Sequence, residues 1–278
     1  ALTIGSPMGV TLHTLKATLA HVERTTGLTI PIDKKGADYM TLLSSMEIVN
    51  FPEYIESIAR IFDAADVSWT ISSKAFEATN SGIQIGSREA AAEIVSRVVT
   101  AAEELEVKYV ISPECGHAFT AIRWEGPNLI GRPYSFEVVH ILELLDQLHK
   151  NGRLKLSGTT DVPLTFHDPC QIVRRGGVVE PPRNLLREVA SDFVEMRDHG
   201  TMNWCCGGGG GVSASERTEE LRLQVFNRKK KQLDELGVTT MVTACANCRI
   251  VLEEGLEKNE MLIDTIGLAE LVAEHLSD

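Results

Sequence analysis

The 278-residue sequence is poor in cysteine, in aromatic side chains and in positive charge. Six cysteines are too few for a disulfide scaffold, no secretory leader pattern opens the residues given, and neighbouring cysteines bridge only with strain. Cystine pairing is therefore a poor reading of the six. No apolar run of ~18 residues occurs, so no segment reads as a membrane-spanning helix. Lysine and arginine number 27 against 39 acidic residues, a formal net charge of −12. That balance argues against nucleic acid or an anionic membrane surface as the main partner. Aromatics make up 5% of the chain, and no aromatic or methionine-rich recognition stripe is evident. The C-x2-C-x2-C-x3-C-P run of a bacterial ferredoxin is missing. Only one C-x-x-C pair is present, whereas a tetrahedral zinc site usually reads as two short pairs.

What is present centres on Asn203-Trp204-Cys205-Cys206 and the five glycines 207–211. Glycine gives up side-chain burial and costs about 0.5–1 kcal/mol relative to alanine in regular structure. A run of it offers bare backbone whose amides can approach a bound group. Five of the six cysteines fall into one pattern, C-x34-C-C-x38-C-x2-C, formed by Cys170, Cys205, Cys206, Cys245 and Cys248. Iron–sulfur clusters use thiolates almost exclusively. A fifth cysteine exceeds the usual four of a cubane, which implies higher nuclearity or a bridging thiolate. Buried structural thiols are the bland alternative, and spacing this organised disfavours them.

The motifs His167-Asp168-Pro169-Cys170, Cys205-Cys206-Gly207 and Cys245-Ala246-Asn247-Cys248 resemble the CCG (cysteine-rich) domain family. That family includes heterodisulfide reductase B and D subunits. It also includes iron–sulfur subunits of glycolate oxidase, anaerobic glycerol-3-phosphate dehydrogenase and lactate utilisation. Trp204-Cys205-Cys206 with its glycines is most similar to the K subunits of the dissimilatory sulfite reductase-linked membrane complex. The resemblance implies one noncubane [4Fe-4S] cluster on the five cysteines and a disulfide-type or trisulfide substrate. It implies an oxidoreductase subunit of sulfur metabolism, cytoplasmic and peripheral to the inner membrane through a partner. The implied partners are membrane-bound haem or iron–sulfur redox subunits and a small sulfur-carrier protein or thiol/disulfide substrate. An iron–sulfur relay from a flavin dehydrogenase of lactate, glycolate or glycerol 3-phosphate to quinone is the alternative. A scaffold subunit with a structural cluster is a third reading. In such relatives a ferredoxin-like module often precedes the CCG domains, and a chain beginning at Ala1 reads as a fragment or a processed form.

With 43% hydrophobic and 24% charged residues the chain reads as globular, and its length suffices for two domains. Apolar periodicity predicts helices from Leu12 to Val22 closed by Gly27, from Phe51 onward, and over Arg88–Leu105. Strands are expected at Val67–Ile71 and Lys108–Ile111, the latter leading to Cys115. The second half repeats this order. A strand at Pro163–His167 leads to Cys170, and a helix follows at Asn184–Phe193. Ser213–Glu216 reads as a capping box opening a helix to Leu236, which Gly237 ends. A strand at Thr239–Thr243 then delivers Cys245. The offset between equivalents is about 130 residues, the size of a small domain. The expected fold is α/β, two pseudo-repeated Rossmann-like units with a cleft between them. The units are 1–155, a degenerate CCG-type copy, and 156–278, the cluster-binding copy. In the first, Ser44-Ser45 and Asn80-Ser81-Gly82 stand where cysteines would be, and only Cys115 remains.

His167 reads as a hydrogen-bond donor or proton source beside Cys170, or equally as a strand-end histidine satisfied by the backbone. Cys115 and His117 are assigned to the active cleft, where a lone thiol could exchange with a disulfide substrate, ahead of the reading of Cys115 as a leftover, inert ligand. Arg174-Arg175 lies close to a ligand cysteine and could attract an anionic substrate. The Arg228–Lys231 run reads as solvated helix surface, and Trp204 as a shield beside Cys205.

Overall fold

A computed structural model describes residues 2–3, 5–77 and 79–277. The chain divides into two compact units, Ala1–Lys155 and Leu156–Asp278.

The first unit runs α1 (Leu12–Thr26), β1 (Tyr39–Thr41), α2 (Ser45–Val49), α3 (Pro52–Ala64), β2 (Trp69–Thr70) and α4 (Ser81–Gln84). It continues α5 (Arg88–Glu104), β3 (Tyr109–Ser112), α6 (Gly116–Thr120), α7 (Gly126–Ile130), β4 (Glu137–His140) and α8 (Ile141–Lys150). Its four strands are parallel in the order β2-β1-β3-β4. Parallel strands need both faces covered, and Met40, Val110 and Ile111 are fully buried accordingly. The helix limits follow local chemistry. Thr11 accepts the Thr14 amide at the start of α1, and Gly27 closes that helix at φ +72°. Ser87 caps α5, which buries Ile94, Val95, Val98 and Val99 along one stripe.

The second unit runs β5 (Leu164–His167), α9 (Glu180–Val189), α10 (Glu219–Leu236), β6 (Thr240–Thr243), α11 (Ala246–Lys258), β7 (Asp264–Gly267) and α12 (Leu268–Glu274). Its strands are also parallel, in the order β5-β6-β7, with His167 opposite Thr243 and Thr243 opposite Gly267. The two units share a pattern. A long helix (α5 or α10) feeds a central strand (β3 or β6), and a short turn after that strand brings a cysteine, Cys115 or Cys245, to the N-cap of the next helix. The α/β class and this internal repetition agree with the sequence reading.

Three expectations need correction. The helix read at Asn184–Phe193 lies earlier, at Glu180–Val189, because Pro181 and Pro182 suit a first turn. Ala190 and Phe193 instead run beside the chain leading into β5, through bridges to Thr160 and Leu164. The capping box at Ser213 does not form. Ser213 Oγ donates to Asn247 Oδ1 at 2.6 Å, residues 212–214 and 216–218 make short 3-10 turns, and α10 begins at Glu219. The strand at Val67–Ile71 shrinks to Trp69–Thr70, with Ile71 in an isolated bridge to Ile32. Among the described residues no helix is long and apolar enough to cross a membrane.

Candidate metal centre

The site lies at the carboxyl ends of β5 and β6, where parallel α/β sheets bind ligands. β5 ends at His167, and the chain turns through Asp168 and Pro169 to Cys170, which opens one wide turn of π-helix, Gln171–Arg175. The turn is pinned from within. Asp168 makes a bidentate pair with Arg183, at 2.9 and 2.8 Å, and accepts the Gly200 amide at 2.6 Å. Asn203 Nδ2 donates to the Asp168 carbonyl at 2.5 Å. Arg174 reaches the carbonyls of Thr201 and Asn203. These bonds tie the Cys170 turn to the segment that delivers Cys205 and Cys206. Arg174 is thus occupied in holding that segment.

The five thiols converge. Cys170 Sγ is 3.9 Å from Cys205 Sγ, and Cys206 Sγ is 3.2 Å from Cys248 Sγ. Cys245 shares a thiol hydrogen bond with Cys248. Backbone amides complete the donor set, with Gly207 N–H on Cys205 Sγ at 3.3 Å and Gly208 N–H on Cys206 Sγ at 3.4 Å. Two glycines are required here. Gly207 has φ +91°, and a Cβ there would lie 2.9 Å from Val225 Cγ1. At Gly208 a Cβ would meet Val251 Cγ2 at 2.5 Å.

The electrostatics disfavour five bare thiolates. Cys205 is drawn well below the ordinary thiol range, because Cys170 and then Cys206 donate to it and the Gly207 amide adds a further bond. That same thiolate pushes Cys170 up, through the hydrogen bond between them and then through burial. Cys206 is pushed up to about 12, first by its bond to Cys205. Cys248 rises well above the ordinary thiol range through Cys206 and Cys245. Only added positive charge lets such a set ionise together, and metal coordination supplies it. The donor set is soft, thiolate-rich and buried, which fits iron–sulfur chemistry.

His167 supports that fit. Its ring is fully buried, and neither nitrogen has a hydrogen-bond partner among the described residues. Burial, and then Lys229, hold it well below the usual histidine range, so the imidazole is neutral. One of its nitrogens is then an N–H donor with no acceptor, a deficit of about 1–3 kcal/mol. Ring nitrogen and the sulfurs of Cys206 and Cys248 lie within 4.8 Å of one another. A sulfur-rich group held on those thiols would supply the missing acceptor.

Trp204 packs at the side, its Nε1–H donating to the Val225 carbonyl at 2.9 Å and its ring 4.2 Å beneath the Arg228 guanidinium. Cys115 and His117 belong to the other unit. Cys115 is half-buried at the N-cap of α6. His117 Nε2 donates to the Asn80 carbonyl at 2.9 Å. Lys229 is buried, against the expectation of a solvated run at Arg228–Lys231. Arg183, which anchors Asp168, was not singled out by sequence at all. For Lys229 a signal was available, since it lies seven and three residues from Arg222 and Phe226 and four from Leu233, on one helical face.

Residues 164–253 match a family model described as a cysteine-rich CCG domain. The C-terminal unit therefore carries a CCG cysteine-rich domain, the family its cysteine spacing resembles. The chain is similar to the D subunit of the dihydromethanophenazine:CoB–CoM heterodisulfide reductase from Methanosarcina acetivorans, 35% identical over 58% of this chain and 39% of that protein. It is also similar to the EtfAB:quinone oxidoreductase of Syntrophomonas wolfei, 28% identical over 74% of this chain and 29% of that protein. The chain spans less than half the length of either curated relative. Among solved structures, glutamate racemase RacE1 from Bacillus anthracis aligns over 86% of this chain and 80% of its own, at 12% identity and a TM-score of 0.39.

Proposed function

We propose that the C-terminal unit holds one noncubane [4Fe-4S] cluster on Cys170, Cys205, Cys206, Cys245 and Cys248. In this reading the chain is an electron-transferring subunit that reduces a disulfide or trisulfide on a small thiol or sulfur-carrier protein. Five converging thiols beside an unpartnered buried imidazole carry the proposal. A bound cluster supplies one-electron transfer and an iron to which a substrate sulfur can bind. The chain's own residues do the rest. The Gly207 and Gly208 amides stabilise thiolate charge. His167, within 4.8 Å of the Cys206 and Cys248 sulfurs, would offer its unpartnered N–H to a cluster held there. The Asp168–Arg183 pair holds the Cys170 turn in register. Electrons would come from membrane-bound haem or iron–sulfur subunits, with this chain on the cytoplasmic side and peripheral to the membrane. Cys115 is proposed as a thiol that faces substrate rather than iron.

The likeness to an EtfAB:quinone oxidoreductase favours a second reading, in which the cluster only relays electrons from a flavoprotein to quinone. Disulfide-reductase turnover with a reduced low-potential dye separates the two, since a pure relay reduces quinone but no disulfide. The cluster itself is tested by iron content and electron paramagnetic resonance. Anaerobically purified protein should bind about four irons. Cys205→Ser or Cys206→Ser should lose or convert the signal, because an alkoxide is a poorer ligand than thiolate for such centres. An unchanged signal in both variants would show that the vicinal pair does not ligate, and one zinc without iron would end the redox reading.

A further inference from the structure

Lys229 is the one lysine whose side chain α10 turns fully inward, at 1% exposure. An ammonium in that position needs compensation, because isolated buried charge is far costlier than a buried neutral polar group. Its hydrogen-bond partner among the described residues is Met196 Sδ at 3.7 Å, a weak acceptor for a group with three donors. No carboxylate among the described residues pairs with it. The two acids whose charge it feels are committed elsewhere. Asp168 holds both guanidinium nitrogens of Arg183. Asp198 is engaged by Arg228 at 2.9 Å and by Gln232 at 3.2 Å. Met196, its partner, packs in one buried cluster with Cys206, Cys245 and Cys248, and the thiols of Cys206 and Cys248 are the groups that act most favourably on Lys229. Burial brings the ammonium down to about 8, which leaves it cationic at neutral pH.

We propose that Lys229 is the fixed counter-cation of the five-thiol site, a positioning residue whose ammonium stabilises negative charge on Cys206 and Cys248 and on the group they hold. The proposal rests on the iron–sulfur reading given above. It explains why a lysine is buried where no carboxylate awaits it. Reduction adds an electron to a site already rich in thiolates, so a nearby positive charge stabilises the reduced form more than the oxidised form. Lys229 therefore raises the reduction potential, and removing its charge lowers it.

The test is a redox titration of the full chain, purified anaerobically and followed by electron paramagnetic resonance. Lys229→Met keeps chain length and suits the buried position beside Met196. Lys229→Arg keeps the charge, and Lys231→Met removes a charge from the exposed face of the same helix. Lys229→Met should retain iron and shift the midpoint downward by at least a tenfold change in the reduction equilibrium, which is 59 mV for a one-electron couple. Lys229→Arg should recover most of that shift, and Lys231→Met should show little. Iron lost from Lys229→Met but kept in Lys229→Arg would also support the proposal, since charge and not packing would then be what the thiolates need. Iron bound normally with an unshifted midpoint in Lys229→Met overturns the proposal alone, as does iron lost equally from both Lys229 variants. Wild-type protein that binds no iron overturns the cluster reading itself, and this inference with it.

Discussion

Arg183 should be the costliest single side chain to remove from the C-terminal unit. It lies on α9 at 5% exposure, and its guanidinium makes two bonds to Asp168 and two to Glu195, at 2.7 and 3.1 Å. It also donates to the Val179 carbonyl at 3.0 Å. Replacing it with leucine leaves the Asp168 carboxylate at 1% exposure with the backbone amide of Gly200 as its remaining donor among the described residues. Breaking a buried pair from one side costs about 3–5 kcal/mol, because the surviving charge is uncompensated. Asp168→Asn is milder, because Glu195 still neutralises Arg183. The loss there is about 1.5–3 kcal/mol, the contribution of hydrogen bonds to a charged group. Glu195 is partly exposed and adds little of its own. The double variant Asp168→Asn/Arg183→Leu removes the stranded charge, so it should cost less than the two single changes added, by about 1–3 kcal/mol. Urea unfolding of the anaerobic protein, followed by far-ultraviolet circular dichroism and visible absorbance, measures all three. Global stabilities run about 5–15 kcal/mol, so Arg183→Leu should also bind iron poorly at 37 °C. A single variant within about 1 kcal/mol of wild type, or a strictly additive double, would refute the view that this pair holds the Cys170 turn.

Two further outcomes follow from the N-terminal unit. Burial, and then Arg123, hold His140 down at about 3, below the unfolded value near 6.5, so the unfolded state binds the extra proton and stability falls as pH drops between those values. At pH 5 the deficit is about 2 kcal/mol. His140→Asn, which can still cap α8, should flatten that acid slope, and an unchanged slope would show that another group sets it. For the proposed substrate-facing thiol, Cys115→Ser should keep iron and depress disulfide reduction, and anaerobic alkylation should label Cys115 before the five clustered cysteines. Full turnover in that variant would make the residue a relic of the repeated motif.

Much of this was legible in the sequence because it is local. Helix α5 was read almost to the residue from its apolar stripe, and Gly27 and Gly237 mark helix ends through left-handed conformations that glycine adopts freely. The five cysteines announce themselves by type and spacing. The missing parts depend on partners far away in sequence. Strands β1, β4 and β7 have three or four residues each, too few to show a period, and exist because neighbouring strands pair with them. The capping box at Ser213 obeys the local rule and still fails, because Asn247 takes the hydroxyl. Lys229 sits in a run whose other members are not buried, so composition alone says surface. Arg183 and Arg222 are buried by the same logic, each against acids more than ten residues distant, Arg222 through Glu254.

The repeated architecture also bears on how many clusters one chain can hold. Cys115 and Cys245 occupy the same place, N-cap of the helix after the central strand, with φ/ψ of −142°/98° and −155°/112°. Cys115 therefore corresponds to the first member of the C-x-x-C pair, and the second member, Cys248, has Ala118 as its counterpart. Two residues beyond each N-cap cysteine, a side chain donates to a carbonyl of the loop that carries the vicinal pair or its replacement. His117 bonds the Asn80 carbonyl at 2.9 Å, and Asn247 bonds the Gly208 carbonyl at 3.2 Å. His117 thus engages its loop in the first unit as Asn247 does in the second. Beyond Ser44 and Ser45 the first unit buries Glu47 and Glu77. Ser45 Oγ is bonded to Glu77, whose carboxyl burial pushes above the usual range. Oxygen donors are the wrong chemistry for an iron–sulfur cluster, which takes thiolates. A single thiol left among them cannot hold one. About eight irons per chain would demand a second thiolate set that the first unit does not contain, so the proposed cluster predicts a count near four.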